Sequence, residues 1–92
     1  MIVRILTEGQ YNLPGAFVDR LNEIDNEIVE VVGDGDREAF RELLDEMLDH
    51  VRKNGTEVPV EELVESDVVL PEPDITLEEA AELFTGEGIL PD

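Results

Sequence analysis

The sequence predicts an α+β fold that is mostly α, with an antiparallel helical hairpin, a third short helix, a small N-terminal β-hairpin and extended C-terminal segments. Two stretches of nearly equal length repeat apolar residues every three or four positions, which is typical of a buried helix face. At 92 residues we expect one domain. Its predicted parts are a β-hairpin at 1–13, a helical hairpin at 15–54 and a Pro-rich wrap at 55–92 with a short helix at 76–84.

The N-terminal residues predict two short strands. Residues Ile2 to Leu6 are β-prone, and Gly9 after them permits a turn. Tyr11 and Leu13 then fall on one side of a second extended piece, so we expect a β-hairpin. Pro14 separates this hairpin from the first helix.

The first long helix is predicted from Ala16 to Val32. Its apolar residues recur at spacings of four, three, four and three: Phe17, Leu21, Ile24, Ile28 and Val31. The sequence Gly-Asp-Gly at 33–35 is expected to end this helix, because glycine readily takes the left-handed conformation of a helix C-terminus.

The second long helix is predicted from about Asp36 to Lys53. Its apolar stripe repeats the same spacing: Phe40, Leu44, Met47 and Val51. Asn54 and Gly55 are expected to close it. Two such helices joined by so short a linker should fold back as an antiparallel hairpin with facing stripes.

Three prolines, at 59, 71 and 73, break the chain after the helical hairpin. A helical turn at Val60 to Val64 and an extended stretch at Asp67 to Leu70 are compatible with them. Whether the N-terminal strands pair with these extended segments stays open. The order Thr76, Glu79 is a capping-box signature, which predicts a third helix from Leu77 to Phe84. Gly86 and Gly88 should end that helix. The apolar residues Ile89 and Leu90 should then dock on the core.

Acidity is the most extreme feature of the composition. There are 25 Asp and Glu residues against 6 Lys and Arg, which gives a net charge of −19. Such a charge opposes direct binding to nucleic acids and to anionic membranes. At 1 M salt the Debye length falls to about 3 Å and the repulsion is largely screened. We interpret the acidity as adaptation to a salt-rich, haloarchaeal cytoplasm. An acidic mimic or inhibitor that binds a basic nucleic-acid-associated protein is the alternative function.

The chain contains no cysteine, which excludes disulfides, thiolate metal sites and cysteine nucleophiles. The apolar start is interrupted by Arg4 and is too short for the core of a signal peptide. No apolar run approaches the length that crosses a bilayer. We therefore expect a cytoplasmic protein.

The sequence contains no complete motif for metal binding or catalysis. The acidic residues from Asp34 onward resemble a calcium loop, but Ala39 occupies the sixth position, where such a loop needs glycine. Helix capping explains these residues better. His50 has no second histidine or cysteine to share a metal, and Ser66 is far from it in sequence. We predict a protein that is not an enzyme and has no catalytic, cofactor or metal site.

The edges of the two helical stripes are the better candidates for contact with another protein. The central stripe residues should form the core of the hairpin itself, whereas residues at its widened edges are free for a partner helix. The predicted partner-binding residues are Val18, Val29, Val32 and Leu48, and the Pro-rich wrap at 55–92 is the alternative contact surface.

From end to end the chain resembles the PspA-associated domain family of archaea and some bacteria. The stretches that carry the resemblance are MIVRILTEGQY, DREAFRELLDEMLDHVRKNGTEVP, ESDVVLPEPDITLEE and GEGILPD, in this order and spacing. The resemblance implies a non-enzymatic adaptor or regulatory protein that associates with PspA, a long coiled-coil protein, in a phage-shock-type envelope stress response. Any contact with the cytoplasmic surface of the membrane would be indirect, through PspA, because the net charge of the protein opposes anionic headgroups. The resemblance implies no catalytic residue, cofactor or small-molecule substrate.

Overall fold

The computed structural model of the protein describes residues 1–62, 64–84 and 88–90. It confirms the predicted fold class, a mostly helical α+β fold with a helical hairpin, a short third helix and a small N-terminal sheet. The helices are α1 (Val18–Asp34), α2 (Arg37–Asn54) and α3 (Leu77–Leu83). The strands are β1 (Ile2–Ile5), β2 (Gly9–Asn12), β3 (Thr56–Glu57) and β4 (Val68–Leu70).

The predicted N-terminal hairpin is present. Strands β1 and β2 pair antiparallel, with Val3 opposite Tyr11. The pairing reaches back to Met1, whose carbonyl accepts a hydrogen bond from the amide of Leu13 at 2.8 Å. The turn between the strands includes Thr7 in the left-handed region, with φ of 75°.

The sheet has four strands in the order β3-β2-β1-β4, and this order answers the question that the sequence left open. Strand β4 lies parallel to β1, with Arg4 opposite Val69. Strand β3 adds to the other side of the hairpin, antiparallel to β2. The side chain of Asp67 accepts a hydrogen bond from the amide of Ile2 at 2.7 Å, which fastens the start of β4 to β1. Segments from both halves of the chain therefore build one sheet.

Helix α1 begins and ends two residues later than predicted. A single 3₁₀ turn, Gly15–Phe17, precedes it, and the helix continues through Gly33 to Asp34. Gly35 supplies the left-handed residue, with φ of 72°. The amide of Asp36 then donates to the carbonyl of Val31 at 3.0 Å, which completes a Schellman ending.

Helix α2 follows at once, because the same short linker also caps its start. The carboxylate of Asp36 accepts a hydrogen bond from the amide of Ala39 at 3.1 Å. Helices α1 and α2 pack against each other. The central stripe residues are fully buried, as predicted: Leu21, Ile24, Ile28, Leu44 and Met47.

The sheet supplies the other half of the core. Its buried side chains, at alternate positions of the two neighbouring strands, join the helical stripes in one cluster: Val3, Ile5, Val68 and Leu70. Because successive residues of a strand point to opposite faces, the helical hairpin must cover one face of the sheet. We call this the inner face, and the opposite one the outer face.

Helix α3 packs against α1. The capping box is confirmed, since Thr76 and Glu79 exchange backbone-to-side-chain hydrogen bonds, each of 3.2 Å. Leu90 is buried, as expected for a docking residue, whereas the predicted stop at Gly86 lies outside the described residues. In the predicted turn after Pro59, the amide of Glu62 donates to the carbonyl of Pro59 at 3.0 Å.

Candidate partner-binding surface

Three of the predicted partner-binding residues lie along one edge of α1. Val18, Val29 and Val32 are each half-buried and pack against the margin of the core. We call these three valines the α1 edge. The edge offers a partner only the part of each side chain that the core leaves free.

The prediction for the fourth residue, Leu48, is wrong. Its side chain is fully buried, with an exposed fraction of 0%. A helical hairpin alone would leave it at the rim of the stripe, but Leu48 belongs to the same core cluster as the inner-face residues of the sheet. Leu48 therefore belongs to the core and cannot contact a partner while the fold is intact.

The outer face of the sheet carries a second surface, which periodicity did not identify. Arg4 stands in the middle of a row across the sheet, with Gln10 on β2 to one side and Val69 on β4 to the other. Beyond Gln10 the row continues with Val58, whose amide donates to the carbonyl of Gln10 at 2.9 Å. These residues point away from the helices because their neighbours, such as Val3 and Ile5, point inward.

Exposed aliphatic side chains are concentrated on and beside this row. Val60 is 91% exposed and Val69 is 43% exposed. Leu6 continues the outward alternation of β1 and is also exposed. We define the outer-face patch by these residues and their neighbours: Arg4, Leu6, Val58, Val60, Val64 and Val69. An open cleft of about 320 Å³ runs through the patch, lined by Arg4 and three of its valines together with polar residues of β2 and β3.

A side-chain amide holds the segment that borders the cleft. The Nε2 of Gln10 donates to the carbonyl of Val64 at 3.0 Å and to the hydroxyl oxygen of Ser66 at 2.8 Å. These bonds keep Gln10 buried beneath the chain that follows Pro59. They also fix the valines of that chain beside Arg4.

Arg4 differs from the other four arginines. It makes no ion pair and no side-chain hydrogen bond with another of the described residues, and it is exposed. Arg20, Arg37 and Arg52 form ion pairs with glutamates, and Arg41 donates to backbone carbonyls of the segment before α3. The guanidinium of Arg4 is therefore available to a group from another molecule.

Ion pairs set the pKa values of two glutamates elsewhere on the surface. Arg52 holds the pKa of Glu8 below its ordinary value, chiefly through a hydrogen bond. Arg37 lowers the pKa of Glu78 to about 2 in the same way. Both pairs join separate elements, so they fasten the sheet turn and α3 to helix α2.

Asp25 is a buried carboxylate that the sequence pattern did not single out. It lies on α1, is fully buried, and accepts hydrogen bonds from the amides of Ile89 and Leu90. Burial raises its pKa, and the two backbone donors partly offset that effect. The signal was present in the sequence, because Asp25 follows Leu21 by four residues and precedes Ile28 by three, a position inside the apolar stripe.

His50 and Ser66, the residues considered for nucleophilic catalysis, have different partners. The Nε2 of His50 lies 2.8 Å from the carbonyl of Phe17, and its Nδ1 lies 3.2 Å from the amide nitrogen of Asn54. Since a carbonyl only accepts, Nε2 carries the proton. Ser66 is engaged by Gln10 instead, on the outer face. Within the part of the chain that the structure describes, no hydrogen bond joins the two residues.

Acidic side chains are numerous, yet in residues 1–62, 64–84 and 88–90 no group of three or more acids and histidines is arranged to hold a metal ion. In the same residues no helix is long and apolar enough to cross a membrane. Two acids at the junction between the helices serve the helix ends, as the capping interpretation predicts: Asp34 is the last residue of α1 and Asp36 caps α2.

Comparison with known proteins identifies one family. The PspAA family, described as PspA-associated protein, matches residues 1–92, the whole chain. No curated protein and no solved structure matches the chain. A match that extends over every residue is enough to assign membership, and the chain therefore belongs to the family of PspA-associated proteins.

Proposed function

We propose that this protein is a non-enzymatic adaptor that associates with PspA in a phage-shock-type envelope stress response. Its membership of the PspA-associated family over residues 1–92 is the observation that carries the proposal. The polar groups in and around the core also support it, because buried Asp25, buried Gln10 and half-buried Ser66 each fasten one segment of the fold to another. They serve the scaffold rather than a reaction.

The partner in this proposal is a coiled-coil protein, and contact with a membrane is indirect. A net charge of −19 repels anionic headgroups, so a peripheral position at the inner face of the membrane would depend on PspA. The same repulsion argues against direct contact with nucleic acid. The protein itself would reside in the cytoplasm.

The proposed setting is a salt-rich, haloarchaeal cytoplasm. Acidic residues are spread over α1, α2 and the C-terminal segments, and most of them are exposed. Their mutual repulsion opposes folding at low ionic strength and is screened at molar salt. On this interpretation the acidic residues are an adaptation to salt and need not form a ligand-binding site.

The valines of the α1 edge, Val18, Val29 and Val32, are one candidate contact for a PspA helix. Leu48 no longer belongs to this set, because it is buried. Helical partners bind such edges through aliphatic residues spaced at three and four positions. Which surface of this protein contacts PspA can be tested separately from whether the two proteins associate.

Co-purification tests the association. The full chain and PspA are coexpressed and purified at about 2 M KCl, and their elution is followed by size-exclusion chromatography. The proposal expects the two proteins to elute together. An unrelated protein of equal size and similar charge serves as the control, because it should elute alone. Separate elution of the two proteins at this salt concentration would contradict the proposed function.

A further inference from the structure

We infer that the outer-face patch, rather than the α1 edge, is the surface through which this protein binds PspA, an inference that rests on the proposed function. Five large apolar side chains stand exposed among the described residues, and four of them belong to the patch: Leu6, Val60, Val64 and Val69. The fifth, Leu83, is on α3. Apolar exposure concentrated on one face is typical of an interaction site.

The two candidate surfaces differ in the apolar area that a partner can still bury. The core already covers part of each valine of the α1 edge, where Val18, Val29 and Val32 are half-buried. On the outer face, Val60 is almost completely accessible. Because the free energy of association depends on area newly removed from water, the patch offers more to a partner.

The charges of the patch specify the chemistry of the partner. Arg4 lies at the centre without a partner among the described residues, and Glu57 and Glu62 line the same cleft. The complementary segment has an aliphatic face, a carboxylate that meets Arg4, and lysine or arginine at its flanks. A second copy of this chain fits less well, because each copy would bring two glutamates, Glu57 and Glu62, for one Arg4, and the contact would hold an excess of negative charge.

The arrangement also suits binding at high salt. Burial of valine and leucine side chains is not weakened by screening, and strongly hydrated salts enhance it. An ion pair between Arg4 and a partner carboxylate would be enclosed by these side chains, where salt screens it less than on an open surface. Aliphatic contact therefore supplies affinity, and Arg4 fixes the register of the partner.

Two substitutions in the patch and two on the α1 edge test the inference. The full-length variants Val69→Asp and Arg4→Glu alter exposed residues, so each should fold; thermal unfolding followed by circular dichroism checks this. Val29→Ser and Val32→Ser are the matched variants on the α1 edge. The affinity of each for purified PspA is measured at about 2 M KCl. The inference expects each patch variant to lose about tenfold or more in affinity, while each edge variant stays within about twofold of the original protein.

The possible outcomes separate the inference from the proposed function. If the original protein does not bind PspA, the proposed function is overturned and the inference with it. If it binds, and the patch variants bind equally well, only the inference is overturned. Loss of binding in Val29→Ser and Val32→Ser alone would place the contact on the α1 edge. Light scattering on the free protein tests whether a second copy of the chain occupies the patch. If the protein is a dimer, Val69→Asp converts it to a monomer and PspA binding stays intact, the patch is a self-association surface and the inference is overturned.

Discussion

The carboxylate of Asp25, in the middle of α1, accepts a hydrogen bond from the backbone amide of Leu90 at 3.1 Å. The amide of Ile89 donates to both oxygens of the same carboxylate, at 3.0 and 3.1 Å. The bonds connect residues more than sixty positions apart, and the one from Leu90 is buried. They fasten the end of the described chain to the helical hairpin.

Removing the carboxylate should destabilise the fold. In Asp25→Ala the two amides lose their acceptor inside the protein, at a cost of about 1–3 kcal/mol in the free energy of unfolding. Glu27→Ala is the matched control, because it removes the same charge from the same helix at an exposed position. Urea unfolding at high salt measures both variants. Equal stability of the two variants would show that the Asp25 hydrogen bonds contribute nothing measurable.

The raised pKa of Asp25 predicts a pH dependence with a defined sign. Because burial raises the pKa above its ordinary value of 3.8, the folded protein takes up this proton at a higher pH than the unfolded chain. The part of the stability that is linked to binding of this proton is therefore fully present below pH 3.8 and is lost as the pH rises through the folded-state pKa.

Comparison with Asp25→Asn isolates this contribution from the other carboxyl groups. The free energy of unfolding of the original protein minus that of the variant should increase as the pH is lowered from 7 toward 3.8. Chemical unfolding at a series of pH values provides the difference. A difference that falls with decreasing pH would mean that Asp25 is stabilised as the anion, contrary to this account.

Gly88 should tolerate no side chain. Its φ is 95°, and a Cβ atom added there would overlap the carboxylate of Asp25. Gly88→Ala should lower the free energy of unfolding by about 1–3 kcal/mol. Gly33→Ala is the opposite control, since Gly33 lies inside α1 with nothing near an added Cβ. That variant should gain about 0.5–1 kcal/mol. If both variants change stability in the same direction, the packing described for Gly88 is wrong.

Salt should stabilise the protein by screening its acidic surface. Between about 0.1 and 1 M KCl the Debye length falls from about 10 to 3 Å, so the free energy of unfolding should rise. A variant with Glu27→Gln, Glu30→Gln and Asp45→Asn removes three exposed negative charges and should have a smaller salt dependence. Thermal unfolding across the salt series measures both. An unchanged dependence in the variant would mean that the salt acts on apolar burial instead.

The helices were predictable because their information is local. The spacing of Leu21, Ile24 and Ile28 requires only a few turns of sequence, and the Thr76–Glu79 capping box requires four residues. The 3₁₀ turn before α1 has no periodic signal of its own, so the predicted start of that helix, Ala16, lies two residues before the observed start, Val18.

The sheet was only half predictable, because strand pairing joins distant residues. The hairpin of β1 and β2 is local, but nothing in residues 68–70 specifies that they lie parallel to β1. The two errors of site prediction have the same origin. Leu48 is buried in the core cluster that the helices share with the inner face of the sheet, and Arg4 is central to an exposed face because β4 lies beside β1. Only the assembled sheet defines that surface.

Hydrogen exchange of the full chain, with and without PspA at high salt, is the most direct test of the central claim. The account predicts that bound PspA slows amide exchange in β4 and in residues 58–62 and 64–66, which border the outer-face patch, and leaves α1 unchanged. Slower exchange confined to α1, with none in β4 or in the segment before it, would contradict the account and place the contact on the helices.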